Sequence, residues 1–350
     1  MFQTNAPFVE PPPRTAPGSR RNDGALRLPA ARQLVFPPPG HGFTPTGLND
    51  AGDIIGNLIH PSRFTGASWS ASGLFLPPHH LRNQELPTAE MAHPFAALNA
   101  SGVVVGTRGE SAKSLFAWAS HRGDFGAEFW PHHLSFAQDV NASGDVVGKM
   151  MINADPVLVS RAFLISASGT PRYFDPPEGG LTDAIAINDS GTVLFAVTPL
   201  STRTASQRAW LWHGEEFIPL SLPPRCSSRA IALNEANQVV GFIETEFGLR
   251  RPVLWTEGRP LDLNTRESQD FCPTCITDDG IVGGSALDSH ARRSACIWTS
   301  GKGLQFLEDL QPASKAQPLD TVVAINAGHQ ILASRHTGHQ SVGLLLDPQG

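Results

Sequence analysis

The feature that most constrains the fold of this chain is a short phrase repeated along its length. At its first occurrence, residues 48–56, the phrase reads Leu-Asn-Asp-Ala-Gly-Asp-Ile-Ile-Gly. Its copies are spaced 42 to 50 residues apart, and their anchor positions are Asn49, Asn99, Asn141, Asn188, Asn234, Thr277 and Asn326. Self-similarity at this period is typical of β-propellers and solenoids, in which each repeat forms one supersecondary unit.

Each copy joins two short apolar runs through a four-residue turn, which predicts a β-hairpin. The last turn residue is usually Gly, because that position requires a positive φ. In two copies Asn237 and His329 stand there instead. Both residue types tolerate a positive φ better than most, so the exceptions agree with the predicted turn.

Each repeat also has room for two further strands. About twenty residues after each anchor lies an aromatic or aliphatic segment such as Phe116–Trp118 or Trp210–Trp212. A turn then leads to a fourth segment, for example Glu128–Trp130 or Leu304–Leu307. Four strands in about 46 residues form one propeller blade. The sequence therefore predicts an all-β fold, a seven-bladed β-propeller of four-stranded blades.

The two ends of the chain are expected to close the ring. The seventh repeat stops at Asp347–Gly350, where its fourth strand should begin, while an unassigned apolar segment, Leu34–Phe36, precedes the first anchor. We expect this N-terminal strand to complete the last blade, which removes two exposed sheet edges. The expected organisation is a disordered leader over residues 1–32, followed by a single propeller domain over residues 33–350.

Composition narrows the classes of partner. A chain with 33 Gly, 30 Pro and 17% charged residues suits short strands and tight turns. A net charge of −6 without a block of Lys or Arg disfavours nucleic acid as a partner. No apolar run is long enough to span a membrane, and residues 1–32 lack the apolar core of a secretory signal, which favours a cytoplasmic location. We expect a monomer without a cofactor.

The recurring Leu-Asn-Asp/Ala-Ser/Ala-Gly-Asp-Val-Val-Gly phrase, followed by strands such as Arg-Ala-Phe-Leu at residues 161–164, resembles the repeat of the HAF-repeat family of bacterial proteins. The resemblance covers about residues 33–350. Two copies depart from the pattern, since Thr277 replaces the Asn and Phe195 replaces a closing Gly. The resemblance implies a repeat-built β fold and a location outside the cytoplasm. It offers no catalytic residues.

Three patterns that could carry chemistry are interpreted as structural. The stretch Asn49–Asp53 resembles a calcium loop, but Asn99–Val103, its counterpart, has no carboxylate. The pair Cys272 and Cys275 has the spacing of half a zinc site, yet no second pair exists. A disulfide from either to Cys296 is left open. The Trp residues recur in the third-strand slot, which predicts core packing between blades.

Histidine placement is the most distinctive departure from the repeat. His79 and His80 follow the fourth strand of one blade, His132 and His133 follow that of the next, and His41 occupies the same slot one blade earlier. This connection leads to the innermost strand of the following blade and so borders the central channel, where ring-shaped β folds often bind ligands. The five histidines are therefore the candidate ligand-binding residues, although paired His in a Pro-rich loop are more often only solvated.

Two functions follow from these observations. The first is a non-enzymatic binding module that presents one face of the propeller to a protein or a glycan. The alternative is an enzyme with an active site at the channel mouth, built from His41, His80 or His133 and a carboxylate such as Glu178. No nucleophile elbow, phosphate-binding loop or metalloprotease motif is present, so no catalytic or metal-binding residue is assigned.

Overall fold

The computed structural model describes residues 42–60, 63–69, 75–76, 95–111, 114–123, 125–154, 157–166, 169–177, 179–200, 207–263, 270–311, 318–337 and 340–348. The predicted leader over residues 1–32 and the predicted closing strand Leu34–Phe36 lie outside these ranges. No helix of the described part is long and apolar enough to cross a membrane.

The described strands form antiparallel sheets that each follow chain order, five with four strands and two with three. Among the four-stranded sheets, the first comprises β1 Gly42–Leu48, β2 Ile54–His60, β3 Arg63–Trp69 and β4 Phe75–Leu76, and the second comprises β8 Leu134–Val140, β9 Val146–Ala154, β10 Val157–Ile165 and β11 Arg172–Tyr173. The third comprises β12 Leu181–Ile187, β13 Val193–Thr198, β14 Arg208–His213 and β15 Glu216–Pro219, and the fourth comprises β16 Cys226–Leu233, β17 Val239–Thr245, β18 Arg250–Thr256 and β19 Arg259–Asp262. The fifth comprises β20 Cys272–Ile276, β21 Val282–Leu287, β22 Arg293–Thr299 and β23 Gly303–Phe306.

The three-stranded sheets consist of β5 Phe95–Leu98, β6 Val104–Ser111 and β7 Ser114–Ala119, and of β24 Thr321–Ile325, β25 Ile331–Thr337 and β26 Gln340–Leu346. Two short helices, α1 Phe125–Phe129 and α2 Leu307–Leu310, complete the described elements. The first strand of each sheet contacts the first strand of the next, and β24 contacts β1. Sheets arranged radially about their first strands form a β-propeller.

Apolar layers between neighbouring sheets form the core. Phe174 stacks on Phe195 with ring centroids 5.6 Å apart and meets the edge of Trp212 at 5.3 Å. These residues come from two adjacent sheets and share one buried cluster. The predicted core role of the tryptophans is confirmed for those whose burial is described, which are at most 8% exposed: Trp118, Trp130, Trp210, Trp212, Trp255 and Trp298.

The repeated phrase forms the predicted turn between the first and second strand of each sheet. All seven turn positions that the sequence assigned to positive φ have it, with values from 56° to 85°: Gly52, Gly102, Gly144, Gly191, Asn237, Gly280 and His329. The left-handed position is thus occupied by Gly or by the residue types that tolerate it.

The anchor asparagines link the sheets through buried hydrogen bonds. Each Asn Oδ1 accepts from the backbone N–H four residues later at 2.8–2.9 Å, which closes its own turn. Each Nδ2 donates to the anchor carbonyl oxygen of the following sheet at 2.9–3.4 Å. The last of these bonds runs from Asn326 to Asn49, which joins the last described sheet to the first. Because these side chains are only 3–6% exposed, each bond satisfies groups that water cannot reach.

Thr277 interrupts this series of asparagine links. Its Oγ1 accepts from the backbone N–H of Ile281 at 3.0 Å and so closes the turn as an Asn does. The shorter side chain carries no amide that could donate to the Asn326 carbonyl. Across the same boundary, which we call the Thr277 seam, His329 Nε2 lies 3.0 Å from Asp279 Oδ2. A cavity of about 330 Å³ also lies at the seam, lined in part by Thr277, Asp279 and His329.

Hydroxyl groups make a second series of links between sheets. Ser135, Thr182 and Ser228 lie near the start of β8, β12 and β16 and are at most 2% exposed. Each Oγ accepts a backbone N–H from the third strand of the preceding sheet at 2.8–2.9 Å, and the donors are Ala117, Ala162 and Ala209. Sequence reasoning did not identify these links, because a single hydroxyl in a strand gives no local signal.

The predicted strand Glu128–Trp130 is wrong. Residues 125–129 form α1 instead. The helical turn lets Phe125 and Trp130 enter one aromatic cluster, in which they lie 6.1 and 4.6 Å from the Phe163 ring. It also places Gly126 against Ala117 of β7, where a Cβ atom would collide with the backbone. The other predicted segment, Leu304–Leu307, is shifted by one residue, since β23 ends at Phe306 and α2 follows.

Replacing an anchor asparagine should destabilise the protein. In Asn141→Ala, the backbone N–H of Asp145 and the carbonyl of Asn188 each lose a hydrogen bond. We expect the free energy of unfolding in urea to fall by about 2–4 kcal/mol. The unsatisfied Asp145 N–H costs about 1–3 kcal/mol, and the Asn188 carbonyl, which keeps its bond from the Gly191 N–H, loses one bond worth about 1 kcal/mol. The control Ser143→Ala alters an exposed residue of the same turn and should change the free energy of unfolding by less than about 0.5 kcal/mol. Equal effects of the two variants would contradict the role of the links.

The Thr277 seam offers the opposite test. In Thr277→Asn, the new amide has the length to donate to the Asn326 carbonyl as the other anchors donate to theirs. We expect the free energy of unfolding to rise by about 1 kcal/mol, the net value of one hydrogen bond. An unchanged or lower free energy of unfolding would show that the missing amide does not limit stability at the Thr277 seam.

Candidate functional site

The described part of the chain contains two of the five candidate histidines. His132 is exposed and His133 is half-buried, in the connection between α1 and β8. The backbone N–H of His133 donates to the Trp130 carbonyl at 3.1 Å. His41, His79, His80 and the alternative carboxylate Glu178 lie outside the described residues. Their convergence at the channel mouth therefore stays a prediction.

The four cysteines are free thiols. Burial raises the pKa of the Cys275 thiol to about 11 and also raises the pKa of Cys296. Both thiols are protonated at neutral pH and unsuited to nucleophilic attack, which requires the thiolate. Cys275 packs against the cluster shared by β22 and β24–β26, and Cys296 packs in the cluster on the other face of its sheet. The described residues contain no group of three or more His, Cys, Asp or Glu placed to hold a metal ion.

The carboxyl group of Asp139 has a shifted pKa and lies between two sheets. Desolvation raises the pKa of its carboxyl to about 7, with a further rise from the charge of Asp189. Hydrogen bonds from the backbone N–H groups of Ile187 and Val140, both at 2.9 Å, oppose that shift. Because Ile187 belongs to the following sheet, the carboxyl group joins two sheets. Perturbed carboxyl groups mark active sites only where a substrate can reach them, and both oxygens of Asp139 are engaged by the backbone.

Two adjoining cavities open between the sheets β12–β15 and β16–β19. The inner cavity has a volume of about 500 Å³ and the outer cavity about 900 Å³. Both are lined by Ser227 and Glu244, so they meet along the start of β16 and the end of β17. We call the two together the groove. Its size is within or above the range of ligand pockets in proteins.

The groove has a polar and an apolar part. Charged and amide side chains line the inner cavity, including Asp183, Gln207, Arg229 and Arg250. The outer cavity has an apolar wall of residues from β14, β15 and the following connection: Trp210, Pro219, Leu220, Leu222, Pro223 and Pro224. A ligand that fills both parts must combine polar or charged groups with apolar ones.

The connection between β15 and β16 forms a fixed wall of the outer cavity. The backbone N–H of Ser221 donates to the Gly258 carbonyl at 2.9 Å, and the Trp255 indole N–H donates to the Ser221 carbonyl at 3.0 Å. Arg225 has a φ of 61°, which is uncommon for a residue with a side chain. Bonds to the neighbouring sheet thus hold this wall in place before any ligand arrives.

The turn between β17 and β18 stands at the rim of the outer cavity. The backbone N–H of Thr245 donates to the Leu249 carbonyl at 3.0 Å, and that of Gly248 donates to the Thr245 carbonyl at 2.9 Å. Within this bonded turn, Phe247 is 89% exposed and Leu249 is 56% exposed. Leu200 follows the corresponding end of β13 in the neighbouring sheet and is 72% exposed, although it lines neither cavity. Strongly exposed large apolar side chains next to a cavity, such as Phe247 and Leu249, are typical of an interaction surface.

Positive charge is in excess along the groove. Its lining includes four arginines, Arg208, Arg225, Arg229 and Arg250, against three carboxylates, Asp183, Glu244 and Glu246. Two pairs are loose, with Arg250 Nε 3.3 Å from Glu244 and Arg225 3.7 Å from Glu246. The carboxylate of Asp183 is held by Lys149 at 2.6 Å.

The groove lies between two sheets and not at the channel mouth where the histidine hypothesis places its site. It is bordered by the same kind of connection, from a fourth strand to the next first strand. The residues there are Leu222, Pro223, Pro224 and Arg225 rather than histidines. Phe247 between Glu246 and Gly248 was a detectable signal, because a large apolar residue in a polar turn is unusual.

Solved structures with a similar backbone confirm the fold at a coarse level. The acylaminoacyl peptidase of Pyrococcus horikoshii has a TM-score of 0.58 at 10% identity, over 88% of this chain and 51% of that chain. The β-propeller domain of the Trilobed protease from Pyrococcus furiosus, for which an open velcro topology is described, has a TM-score of 0.55 at 9% identity, over 88% and 95%. The fold is an all-β propeller.

The comparisons extend no further than the fold. This chain spans about half the length of the acylaminoacyl peptidase. At about 10% identity, a shared propeller carries no residue roles from one protein to another. No protein-family model matches the sequence, and no curated protein matches it either.

The Asp139 carboxyl makes stability depend on pH. Its pKa of about 7 in the folded protein lies above its ordinary value of 3.8, so the folded state binds more protons between these values. The stability that this shift contributes is fully present below pH 3.8 and is lost as the pH rises through about 7. We expect urea denaturation to show falling stability from pH 5 to pH 8.

The variant Asp139→Asn should flatten this dependence, since an amide does not titrate. Asp309→Asn, which removes an exposed carboxylate of α2, is the matched control and should keep the pH profile of the unmodified protein. A profile unchanged in Asp139→Asn would mean that other groups cause the dependence.

Proposed function

We propose that this protein is a non-enzymatic binding module whose ligand, a protein or a glycan, docks in the groove. The observation that carries the proposal is the placement of Phe247 and Leu249, strongly exposed on a hydrogen-bonded turn, beside a 900 Å³ cavity. Exposed aromatic residues next to a preformed cavity are typical of binding hot spots. A fixed turn also loses little conformational entropy when a ligand binds.

The enzyme alternative has less support in the described residues. Catalysis by acid and base requires suitable groups within hydrogen-bond reach of one reacting atom. In the groove, the carboxylates of Asp183, Glu244 and Glu246 each lie near a cation. The histidine hypothesis at the channel mouth depends on residues outside the described ranges, and it is the second candidate.

We also propose that all the sheets are blades of one seven-bladed ring, in which Leu34–Phe36 adds the fourth strand to β24–β26. The hydrogen bond from Asn326 to Asn49 supports a closed ring. The spacing of the repeat supports the strand assignment. Membership of the HAF-repeat family, and the extracytoplasmic location that it implies, rest on the repeated phrase.

The binding proposal can be tested with two unbiased libraries. The intact protein is applied to displayed random dodecapeptides and to a glycan array, and the affinity of each selected ligand is then measured. In Phe247→Asp, a charge replaces the exposed ring, and we expect the Kd to rise by about 30-fold, as for a hot-spot residue of 2 kcal/mol. The expected result is a ligand from at least one library that shows this loss.

The matched control is Leu287→Asp, which makes the same kind of change at the end of β21, in a sheet that lines neither cavity, where Leu287 is 41% exposed. It should leave the Kd within about twofold. Ligands that tolerate Phe247→Asp would place the binding site elsewhere on the ring. A protein that selects nothing from either library would contradict the binding module itself.

A further inference from the structure

We propose that the groove accepts an extended, acidic segment of a partner protein, with its carboxylates in the inner cavity and an apolar side chain in the outer cavity. This inference rests on the proposed function and specifies its ligand. Three observations support it: the charge of the groove, the order of its polar and apolar parts, and the aliphatic side chain of Leu249 at its rim.

The inner cavity carries local positive charge in an otherwise acidic chain, whose net charge is −6. Arg229 and Arg250 line it together with Glu244 and Asp183, and Asp183 is already paired with Lys149. Arg229 is exposed and projects from β16, where it lines the inner cavity. Arg250 lines the same cavity and lies 3.3 Å from Glu244, a spacing longer than that of a strong charged pair. An incoming carboxylate can bind guanidinium groups without first breaking a tight ion pair.

The spatial order of the groove favours a chain-like ligand. Inner and outer cavities meet at Ser227 and Glu244 and differ in character, the first polar and the second walled by Trp210, Leu222 and prolines. Together they extend from the first strands toward the rim of the ring. A peptide in extended conformation advances about 3.3–3.6 Å per residue and points successive side chains in opposite directions. It can therefore place an acidic residue in one cavity and an apolar residue in the next.

The rim distinguishes a peptide from a glycan. Phe247 alone could stack on a sugar ring. Leu249, which is 56% exposed and lies between the lining residues Gly248 and Arg250, is aliphatic and offers nothing to sugar hydroxyl groups. It can bury area against aliphatic or aromatic side chains of a partner protein, where apolar contact is favourable. Guanidinium groups beside aliphatic residues thus match a segment that alternates Asp or Glu with Leu, Ile or Phe.

The composition of the dodecapeptides selected by the intact protein tests the inference. We expect enrichment of Asp and Glu together with apolar residues. Arg229→Glu should weaken a selected acidic peptide by about tenfold, since reversing one charge removes a contact of about 1.4 kcal/mol or more. Arg259→Glu, an equal charge reversal on the exposed outer strand β19, is the control and should change the Kd by less than about twofold.

Salt dependence gives a second readout. The affinity of the acidic peptide should fall as NaCl rises from 50 to 500 mM, and this dependence should be smaller in Arg229→Glu, because salt screens exposed charges. Circular dichroism of both variants establishes that they are folded, so a lost affinity cannot arise from unfolding.

The outcomes separate this inference from the proposed function. If the selected peptides are neutral or basic and bind Phe247→Asp more weakly, the acidic ligand is wrong but the binding module is supported. The same conclusion follows if the protein binds glycans and no peptides, and if Phe247→Asp weakens the binding of those glycans. Acidic peptides insensitive to Arg229→Glu would also contradict the inference. Selection of nothing by the folded protein would contradict both.

Discussion

The hydrogen bond from each anchor asparagine to the next sheet is the interaction on which the rest of the structure depends. It performs two functions with one side chain, because Oδ1 closes the turn of its own repeat while Nδ2 fixes the position of the neighbour. The turn determines where the first strand ends, and the cross-sheet bond determines how neighbouring first strands align. The apolar layers of Phe and Trp pack between the sheets that these bonds join. An amide buried at these positions is favourable only because all of its groups find partners.

The elements that sequence reasoning located correctly are those encoded by local patterns. Turns with positive φ at Asn237 and His329 followed from residue type alone, and the tryptophans of the third strand followed from their period. Helix α1 did not, because its cause is tertiary packing: Phe125 must reach Phe163 in the next sheet, and Gly126 must approach Ala117 of the preceding strand β7.

The groove could be predicted only in part for the same reason. A connection after a fourth strand was the expected location for a ligand, since every repeat places that connection near the channel. Which of these connections borders a cavity depends on neighbours that are distant in sequence, such as Trp255, whose indole holds Ser221. Arg229 and Arg250 belong to different strands of one sheet and line the same cavity only once those strands have paired with β17. Histidine doublets attracted attention because they are adjacent in sequence, whereas the arginines of the groove are not.

The direction of the asparagine links has a consequence for chain connectivity. Every Nδ2 donates to the sheet that follows, including the bond that returns from Asn326 to Asn49. Such a series has no intrinsic beginning, so the ring specifies the neighbours of each sheet but not the place where the polypeptide must start. A circular permutant that joins the present ends and opens the chain between two sheets would keep every anchor bond. At the Thr277 seam the two sheets would still be held by the bond from the Thr274 hydroxyl to the Val322 carbonyl and by that from the Ala295 N–H to the Leu319 carbonyl.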